Sequence, residues 1–258
     1  MRKIILLICI LSAAIGASAQ KSKKQRQQEK RAHINSLIRE EEEGVIAYKK
    51  SFVFGAKLVS DGYGVFFELG RASSIRKSLL YQLEISERKN VKEDKQSYPF
   101  LNSIPFIYGK ENFFYPVKLG VQQQILLGNK SNKNGVSITG NYGGGVSLGL
   151  LRPYYVQVQK GNDIVYVKYN SPDSTDFLNA PIAGPTFGKG WSELTVTPGL
   201  YGKAAVRFDY GAYNEIVSAI EVGITGEFYT RKIPILTQIP QKQFFFSAYF
   251  SILFGKRK

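Results

Sequence analysis

The sequence predicts an all-β fold, an eight-stranded antiparallel up-and-down transmembrane β-barrel with a short helical or disordered periplasmic segment before it. Three observations support this prediction. The 258 residues include 17 Phe, 16 Tyr and 25 Gly, a composition that favours strands and tight turns. From residue 50 onward, apolar and polar residues alternate with a period of two, which is typical of strands. The chain also begins with the pattern of an export signal.

The predicted signal peptide occupies residues 1–19. Arg2 and Lys3 precede an apolar run over residues 4–15, and Ala17 and Ala19 form the small-x-small pattern of a cleavage site. A membrane-spanning helix needs about 20 apolar residues, so this run is too short to cross a bilayer. We expect cleavage near Ala19, which also removes the single cysteine, Cys9.

Residues 20–47 form a charged segment that differs from the rest of the chain. Basic residues lead it, and residues 40–43 are all glutamate. The residue types favour a helix, but the apolar patch of Ile34, Leu37 and Ile38 is too short to hold an isolated helix together. We interpret the segment as a solvated periplasmic tether, or as one that docks onto the barrel end or onto a partner.

The barrel domain is predicted to cover residues 48–258. Its eight alternating segments are 51–60, 64–71, 78–88, 113–127, 135–151, 194–210, 215–230 and 243–255. In the last segment Phe246 and Phe254 lie on one face, whereas Ser247 and Ser251 lie on the other. A further hairpin, 154–159 with 164–169, has arms of about six residues, shorter than the nine to eleven that a membrane strand needs. We therefore place it above the bilayer; the alternative is a barrel of ten strands that includes it.

Alternation alone also fits a soluble β-sandwich that binds a ligand after secretion, with the apolar face in its core. Strand length favours the barrel, because sandwich strands usually run five or six residues and several segments here are much longer. Phe246 and Phe254 are separated by about 26 Å along a strand, or about 20 Å along the axis of a barrel with strands tilted near 40°. That distance nearly spans an outer-membrane apolar band of about 25 Å.

Loop lengths predict the orientation of the barrel. Longer connections face outwards in such proteins, and here they are 89–112, 152–193 and 231–242, together with the short loop 61–63. Ten basic residues then lie at the periplasmic rim, where outer-membrane lipid headgroups are the simplest partner: Lys49, Lys50, Arg71, Arg76, Lys77, Lys130, Lys133, Lys256, Arg257 and Lys258.

The opposite face of each strand should fill the lumen, because eight strands leave only enough room for side chains. The predicted lumen residues are Lys57, Glu68, Gln82, Glu84, Arg88, Lys118, Gln122, Gln124, Thr139, Asn141, Tyr201, Lys203, Arg207, Asp209, Glu221 and Glu227. A turn about Ala212 would place Lys203 directly opposite Glu221. We interpret Lys203, Arg207, Glu221 and Glu227 as structural ion-pair candidates; the alternative is a catalytic acid and base.

Composition argues against the commonest catalytic sites. The only histidine, His33, precedes the barrel, and residues 143–145, all glycine, lie within a strand rather than in a phosphate-binding loop. We predict no catalytic residue, no metal site and no cofactor. The chain carries 35 Lys and Arg against 20 Asp and Glu, a net charge of +15. Because an exported protein seldom meets nucleic acid, we predict no nucleic-acid partner.

The outward loops are the predicted functional surface. They are rich in aromatic residues, which mark contact surfaces when exposed, although such loops can also fold on themselves as a lid. The contact candidates are Tyr108, Lys110, Tyr154, Tyr155 and Trp191.

Several features together resemble a known group of proteins. They are the signal ending at Ala19 and Gln20, the stretch 108–110 with glycines 143–145 and residues 148–153, and an aromatic last strand that ends at Phe254 before a basic tail. Over residues 45–258 the chain is similar to the small outer-membrane β-barrel proteins of the Bacteroidota, the OmpA-like and PorT-like group. The resemblance implies a barrel inserted by the barrel-assembly machinery, and it assigns no functional residue.

These observations leave three functional hypotheses. The first is a noncatalytic outer-membrane barrel, a structural, binding or secretion-accessory component that contacts a periplasmic or envelope protein through its loops or its N-terminal segment. The second is an outer-membrane enzyme acting on lipid or glycan. The third is the soluble sandwich. Under the first, we expect Ile220→Arg at mid-membrane to cost about 2–4 kcal/mol, and Thr225→Arg to be milder if the lumen can accommodate the arginine.

Overall fold

The computed structural model describes residues 49–74, 76–97, 104–129, 135–169, 174–179, 181–211 and 215–258, together with residues 25, 27–29, 31, 32 and 35. The predicted signal peptide and most of the charged segment lie outside the described residues. The chain divides into two units, Met1–Ala47 and Tyr48–Lys258. The few described residues of the first unit have helical backbone. No helix among the described residues is both long and apolar enough to cross a bilayer.

Eight strands of the second unit close into an antiparallel barrel in the order β1-β13-β12-β11-β7-β6-β3-β2. Their bounds are β1 Lys50–Val59, β2 Gly62–Ser74, β3 Lys77–Arg88, β6 Asn112–Gly128, β7 Ser137–Pro153, β11 Thr195–Asp209, β12 Ile216–Ile233 and β13 Lys242–Arg257. The first and last strands pair from Ser51 with Arg257 to Val59 with Tyr249, which closes the ring. The predicted fold class is confirmed, and each predicted strand boundary lies within three residues of the observed one.

Short elements between the barrel strands form a cap. Strands β4 (Lys95–Gln96) and β5 (Phe106–Ile107) pair with each other. Strands β8 (Tyr155–Lys160), β9 (Asp163–Lys168) and β10 (Pro181–Ala183) form a separate three-stranded sheet beside a short helix, Ser174–Asn179. The predicted hairpin is therefore β8 and β9, and it lies outside the closed ring. We call the end of the barrel that carries the cap the long-loop end and the other the short-turn end.

Burial in the barrel is the inverse of that in a water-soluble domain. Outward apolar side chains are exposed, including Phe54 at 55%, Ile224 at 47% and Phe246 at 63%, whereas Glu68, Glu221 and Glu227 in the lumen are each 0% exposed. The side chains alternate in this way because successive residues of a strand point to opposite faces of the sheet. The alternative of a β-sandwich is wrong, because a single sheet closes on itself and, in the described part of the chain, no second sheet packs against its apolar face.

Candidate functional site

The lumen holds two buried charge clusters. The first, the Glu221 cluster, joins strands β2, β11 and β12. Arg207 donates to both carboxylate oxygens of Glu68 at 2.9 and 2.8 Å, and its Nε donates to Glu221 at 2.8 Å. Lys203 Nζ lies 3.1 Å from the other oxygen of Glu221. Each carboxylate therefore faces a guanidinium, and Glu221 faces two cations, with the two-pronged geometry that makes Arg–carboxylate pairs strong.

Glu221 also accepts hydrogen bonds from neutral donors. The Tyr249 hydroxyl donates to Oε1 at 2.7 Å and the Asn141 amide donates to Oε2 at 2.8 Å. With Lys203 and Arg207, four side chains from strands β7, β11 and β13 converge on this one carboxylate. A buried charge is tolerated only when it is paired and hydrogen-bonded. The cluster therefore ties separate parts of the barrel wall together through its interior.

The second cluster, the Glu227 cluster, lies nearer the long-loop end. Lys118 Nζ lies 2.6 Å from Glu84 and 2.6 Å from Glu227, and Lys57 pairs with Glu84 as well. Arg88 continues the chain of charges, because it lies 2.9 Å from Glu227 and 2.7 Å from Asp61. The charges alternate in sign along this path. A carboxylate flanked by two cations is suited to holding strands together, and a proton transfer to it would break both pairs.

The predicted opposition of Lys203 and Glu221 in register is wrong. Lys203 pairs with Thr225 across the β11–β12 ladder, and Glu221 pairs with Arg207. The strands end at Asp209 and begin again at Ile216, so the connection is longer than a turn about Ala212 and the register moves by four residues. An even shift keeps every side chain on its face. The long Lys203 side chain still reaches Glu221, so the two form an ion pair without being cross-strand neighbours.

The structure places the predicted lumen residues inside the barrel. All of them are buried except Gln124, which is half-buried. Arg88, Lys118 and Glu227, which the sequence could not connect, meet from strands β3, β6 and β12. Long sequence separation hides such contacts, because only closure of the ring brings these strands face to face across the lumen.

Two apolar layers lie on either side of the charges, and sequence analysis missed both. At the short-turn end, Val53, Phe66, Val217, Ala219 and Leu253 form a buried cluster. At the long-loop end, the rings of Phe114, Tyr229 and Phe245 pack with centroid distances of 5.3–5.9 Å. These residues share the inward face with the charges. The sequence did offer one signal for these layers: apolar residues occur on the inward face near the strand ends. A filled lumen needs such residues there, because they separate the buried charges from solvent.

The cap packs directly on this aromatic layer. One core cluster contains Phe114 and Tyr229 of the barrel together with Tyr154, Val156 and Phe177 of the cap. The backbone N–H of Ile107 donates to the Tyr154 hydroxyl at 2.8 Å, which fixes β5 against the residue that precedes β8. Burial raises the pKa of Tyr154 to about 12. The loops were expected either to present an exposed contact surface or to fold on themselves as a lid. In this region they fold on themselves.

Three of the five contact candidates are not on a surface. Lys110 is 1% exposed and Tyr154 2%, because they lie inside the cap, and Tyr155 is 7% exposed because Lys168 and Lys189 cover its ring. Lys110 lies 2.6 Å from Glu93, and burial lowers the pKa of Lys110 although this partner opposes the change. Tyr108 and Trp191 are 40% and 41% exposed and remain accessible to a partner.

Trp191 belongs to an aromatic platform around Arg152. The Arg152 guanidinium lies 4.0 Å from the Phe113 ring centroid and 4.6 Å from that of Trp191, and the Trp191 ring stacks on Tyr115 at 5.7 Å. Phe187, at the edge of the platform, is 83% exposed. Rings with a wet edge and an apolar face are typical of membrane interfaces and of protein contacts.

A surface clasp holds the cap sheet to the segment before β11. Glu193 accepts hydrogen bonds from Lys168 and from the Tyr155 hydroxyl. The hydrogen bond from Lys168, followed by that from Tyr155, lowers the pKa of Glu193. Lys189 lies over the rings of Tyr155 and Tyr166 at 5.1 and 5.2 Å.

Comparison with known proteins adds little to this picture. No protein-family model and no curated protein matches the chain. Among solved structures, the N-terminal β-barrel domain of Pseudomonas aeruginosa OprF matches with 8% identity and a TM-score of 0.35, covering 81% of this chain and 98% of that chain. Neisserial surface protein A matches with 12% identity and a TM-score of 0.35, covering 82% and 96%.

The attachment invasion locus protein Ail of Yersinia pestis matches with 7% identity and a TM-score of 0.36, covering 82% of this chain and 99% of that one. Similarity at this level supports no conclusion about function. The fold of this chain is established by its own strand pairing. The likeness to Bacteroidota proteins is untouched by these matches and stays a prediction.

Proposed function

We propose that this chain is an exported, noncatalytic outer-membrane β-barrel whose sealed lumen serves as a scaffold and whose cap presents a binding surface at the long-loop end. The inverted burial of the barrel carries the proposal. A closed ring with an apolar exterior and an ionic interior matches the requirement of a bilayer, which can satisfy no backbone polar group and hydrates no charge.

The dimensions of the apolar exterior fit a membrane. On β13 the outward residues run from Phe244 to Phe254, both exposed, and ten steps of a strand cover about 33 Å, or about 25 Å along the axis at a tilt near 40°. An outer-membrane apolar band is about 25 Å tall. The aromatic platform around Arg152 then lies near one interface and the basic strand ends lie near the other, in agreement with the orientation that loop length favours.

The filled interior argues against a diffusive channel. Two charge clusters occupy the middle of the lumen, an apolar layer lies on each side of them, and the lysines and glutamates of the clusters are at most 6% exposed. An eight-stranded barrel has just enough interior for its own side chains. Transport of a solute through this lumen would require the ion pairs to separate in a low-dielectric space.

The cap is the part of the molecule best suited to a partner. Its buried core holds the loops in one arrangement, and Tyr108, Phe187 and Trp191 are exposed on its surface. Rigid loops with exposed aromatic rings favour binding, since little conformational entropy is lost. We propose a protein of the cell envelope as that partner, and the barrel-assembly machinery as the route of insertion.

The proposal is tested by fractionating cells that express the full chain and comparing unheated with boiled samples by electrophoresis in mild detergent. We expect the protein in the outer-membrane fraction, with a migration shift on boiling. Purified protein in planar bilayers should carry no steady ionic current. Recovery in the soluble fraction without detergent would overturn the membrane location, and a stable open conductance would overturn the sealed lumen.

A further inference from the structure

We propose that the outer wall of the barrel at the short-turn end carries a binding site for an anionic glycerophospholipid. The site consists of four basic side chains, called the cationic cluster, and an apolar groove that runs from them toward the middle of the band. The cluster contains Lys50, Arg71, Lys256 and Lys258. This inference rests on the proposed membrane location and adds a specific lipid class to it.

Strand register brings the cationic cluster together. Lys50 pairs directly with Arg71 across the β1–β2 ladder. On the other side, Lys50 and Lys258 exchange two backbone hydrogen bonds of 2.8 Å. Lys256 lies one outward position further from the end on β13, where it pairs with Phe52 and Ile216. All four side chains are exposed and point to the lipid side of their strands.

The cluster lacks internal compensation. Like charges directly opposite each other destabilise a strand pair. Among the described residues, no carboxylate lies within ion-pair distance of any member of the cluster, whereas Arg257 on the lumen face of the same strand lies 2.5 Å from Asp209. An anion at the cluster would remove the repulsion. A phosphodiester meets this need, because several Lys and Arg side chains can share its oxygens.

The groove begins at the cluster. Its first part, of about 660 Å³, is lined by Lys50, Lys256 and Lys258 and by Phe52, Phe54, Leu69 and Phe254. A second part, of about 640 Å³, continues from the shared residues Phe54 and Phe254 to Ala56, Val65 and Ile252. The small side chain of Ala56 leaves the groove open between larger neighbours. One end is therefore cationic and the rest is apolar.

The length of the groove matches one leaflet. From Lys50 to Ala56 the strand advances six residues, about 20 Å, or about 15 Å along the barrel axis at the usual tilt. Half of an outer-membrane apolar band about 25 Å tall is about 12 Å, and a lipid phosphate lies a few Å outside that band. A lipid whose phosphate lies at the cationic cluster would therefore lay one acyl chain along the whole groove.

The site occupies one sector of the wall. Beyond β13, the outward residues near the same end are Ile216 on β12 and Phe208 on β11, neither of which is charged. On the other side, the exposed residues Arg76 and Lys77 extend the basic surface to the start of β3. Among the described residues, the basic side chains of this end therefore lie along β13, β1, β2 and the start of β3 rather than around the whole ring, which selects lipid at this sector. An acidic peptide could match the charges, but it would leave the aromatic groove unused.

The experiment measures lipid selectivity at the barrel surface. The full mature chain is reconstituted in phosphatidylcholine bilayers, and spin-labelled phosphatidylglycerol and phosphatidylcholine are compared for the fraction immobilised by the protein. We expect preferential immobilisation of phosphatidylglycerol. Replacing Lys50 and Lys256 together with Gln should weaken that preference about 25-fold, since each basic residue near an anionic lipid contributes about a factor of five.

Two matched controls separate the site from general effects. Lys232→Gln with Lys242→Gln removes two outward charges at the other ends of β12 and β13, and it should leave the preference unchanged. Ala56→Phe fills the groove and should reduce the preference, whereas Ala204→Phe adds the same ring to the outward face of β11 and should not.

Each outcome is decisive. Equal immobilisation of the two lipids by a heat-modifiable, inserted barrel overturns this site and leaves the proposed function intact. A barrel that does not insert overturns the proposed function instead. Equal loss in the Lys232/Lys242 pair would show nonspecific attraction and contradict the site. If a preference for phosphatidylglycerol appears only after residues 40–43 are changed to Gln, the partner of the cationic cluster is the acidic segment of this chain. That result also contradicts the lipid site.

Discussion

Glu221 shows how one side chain can organise a barrel interior. It accepts hydrogen bonds from Lys203, Arg207, Asn141 and Tyr249, which come from three other strands. Its own desolvation is unfavourable, and it is offset only because all four partners are present. Glu221 therefore stabilises the barrel only when the strands that supply its partners are correctly assembled, and no single hydrogen bond accounts for its contribution.

We expect Glu221→Gln to destabilise the barrel by about 3–5 kcal/mol, because removing one member of a buried ion-pair network leaves Lys203 without its carboxylate and Arg207 with one carboxylate fewer. Urea unfolding in lipid vesicles, followed by the migration shift on boiling, measures the change. Glu87→Gln is the matched control: Glu87 accepts a hydrogen bond from the exposed Tyr63 hydroxyl at 2.6 Å and lies 4.0 Å from the exposed Lys89, and its replacement should change stability by about 0.5 kcal/mol or less. Equal effects would contradict a structural role for the network.

The clasp at Glu193 predicts a pH dependence confined to the cap. Hydrogen bonds from Lys168 and Tyr155 lower the pKa of Glu193 below its ordinary value of 4.5. A carboxylate with a lowered folded-state pKa stabilises the fold above pH 4.5, and that stabilisation is lost as the pH falls through the lowered pKa. Because the clasp lies at the surface, the effect should be local.

Hydrogen exchange at the amides of β8 and β9 measures this effect. Protection should decrease as the pH falls below 4.5, after correction for the intrinsic exchange rate, while the barrel strands keep theirs. Glu193→Gln should have low protection at every pH. A wild-type cap whose protection is independent of pH would show that the clasp contributes nothing to its stability.

Among the elements, β6 and β7 depend on glycine for their close approach. A Cβ on Gly145 would lie 2.2 Å from the carbonyl oxygen of Leu119, and one on Gly143 would lie 2.2 Å from that of Val121. Both glycines point into the lumen, where β7 passes close to its neighbour. The three glycines 143–145 therefore serve packing, as the strand position of this motif predicts.

Gly145→Ala should destabilise the barrel by about 1–3 kcal/mol, because the added methyl group must displace backbone in a packed wall. Gly202→Ala on the adjacent β11 is the matched control, since a Cβ there would lie 3.8 Å from the nearest atom, the carbonyl oxygen of Gly143. Its effect should be neutral or slightly stabilising. Urea titration of both variants in vesicles checks the difference, and similar midpoints would argue against close packing at Gly145.

For the whole molecule, the direction of the apolar face is the property with the largest consequences. Ile224 is 47% exposed on β12, in the middle of the proposed membrane band. Ile224→Arg should cost about 2–4 kcal/mol there, whereas Thr230→Arg, outward on the same strand but near the long-loop end, should cost about 0–1 kcal/mol. Assembly yield and urea stability in vesicles measure both. A mild effect at Ile224 would contradict lipid contact.

The condition for a mild Thr225→Arg, room for the arginine in the lumen, is not met. Thr225 is 2% exposed, and its register partner is Lys203. An arginine there would add a cation beside another one in a space that is already filled. The sequence shows that this residue faces the lumen, but only the packed interior shows that no room is left.

The sequence alone determined the approximate bounds of the eight long strands and the face on which their side chains lie, because an alternation of period two is a local property that survives any shift of register by an even number. It left open whether the hairpin 154–159 with 164–169 adds two strands to the ring. It also placed the charges of the lumen on the inner face, where Lys57 and Glu84 are now seen to pair. Both inferences needed only the position of a strand and the polarity of each of its two faces.

The tertiary structure alone decided the register of β11 against β12, the connection of Arg88 and Lys118 to Glu227, and the burial of Lys110 and Tyr154 in the cap. These features depend on turn length and on contacts between residues more than a hundred positions apart, such as Lys118 and Glu227. Closure of the ring brings such residues together across a shared interior, and no local pattern encodes which of them meet.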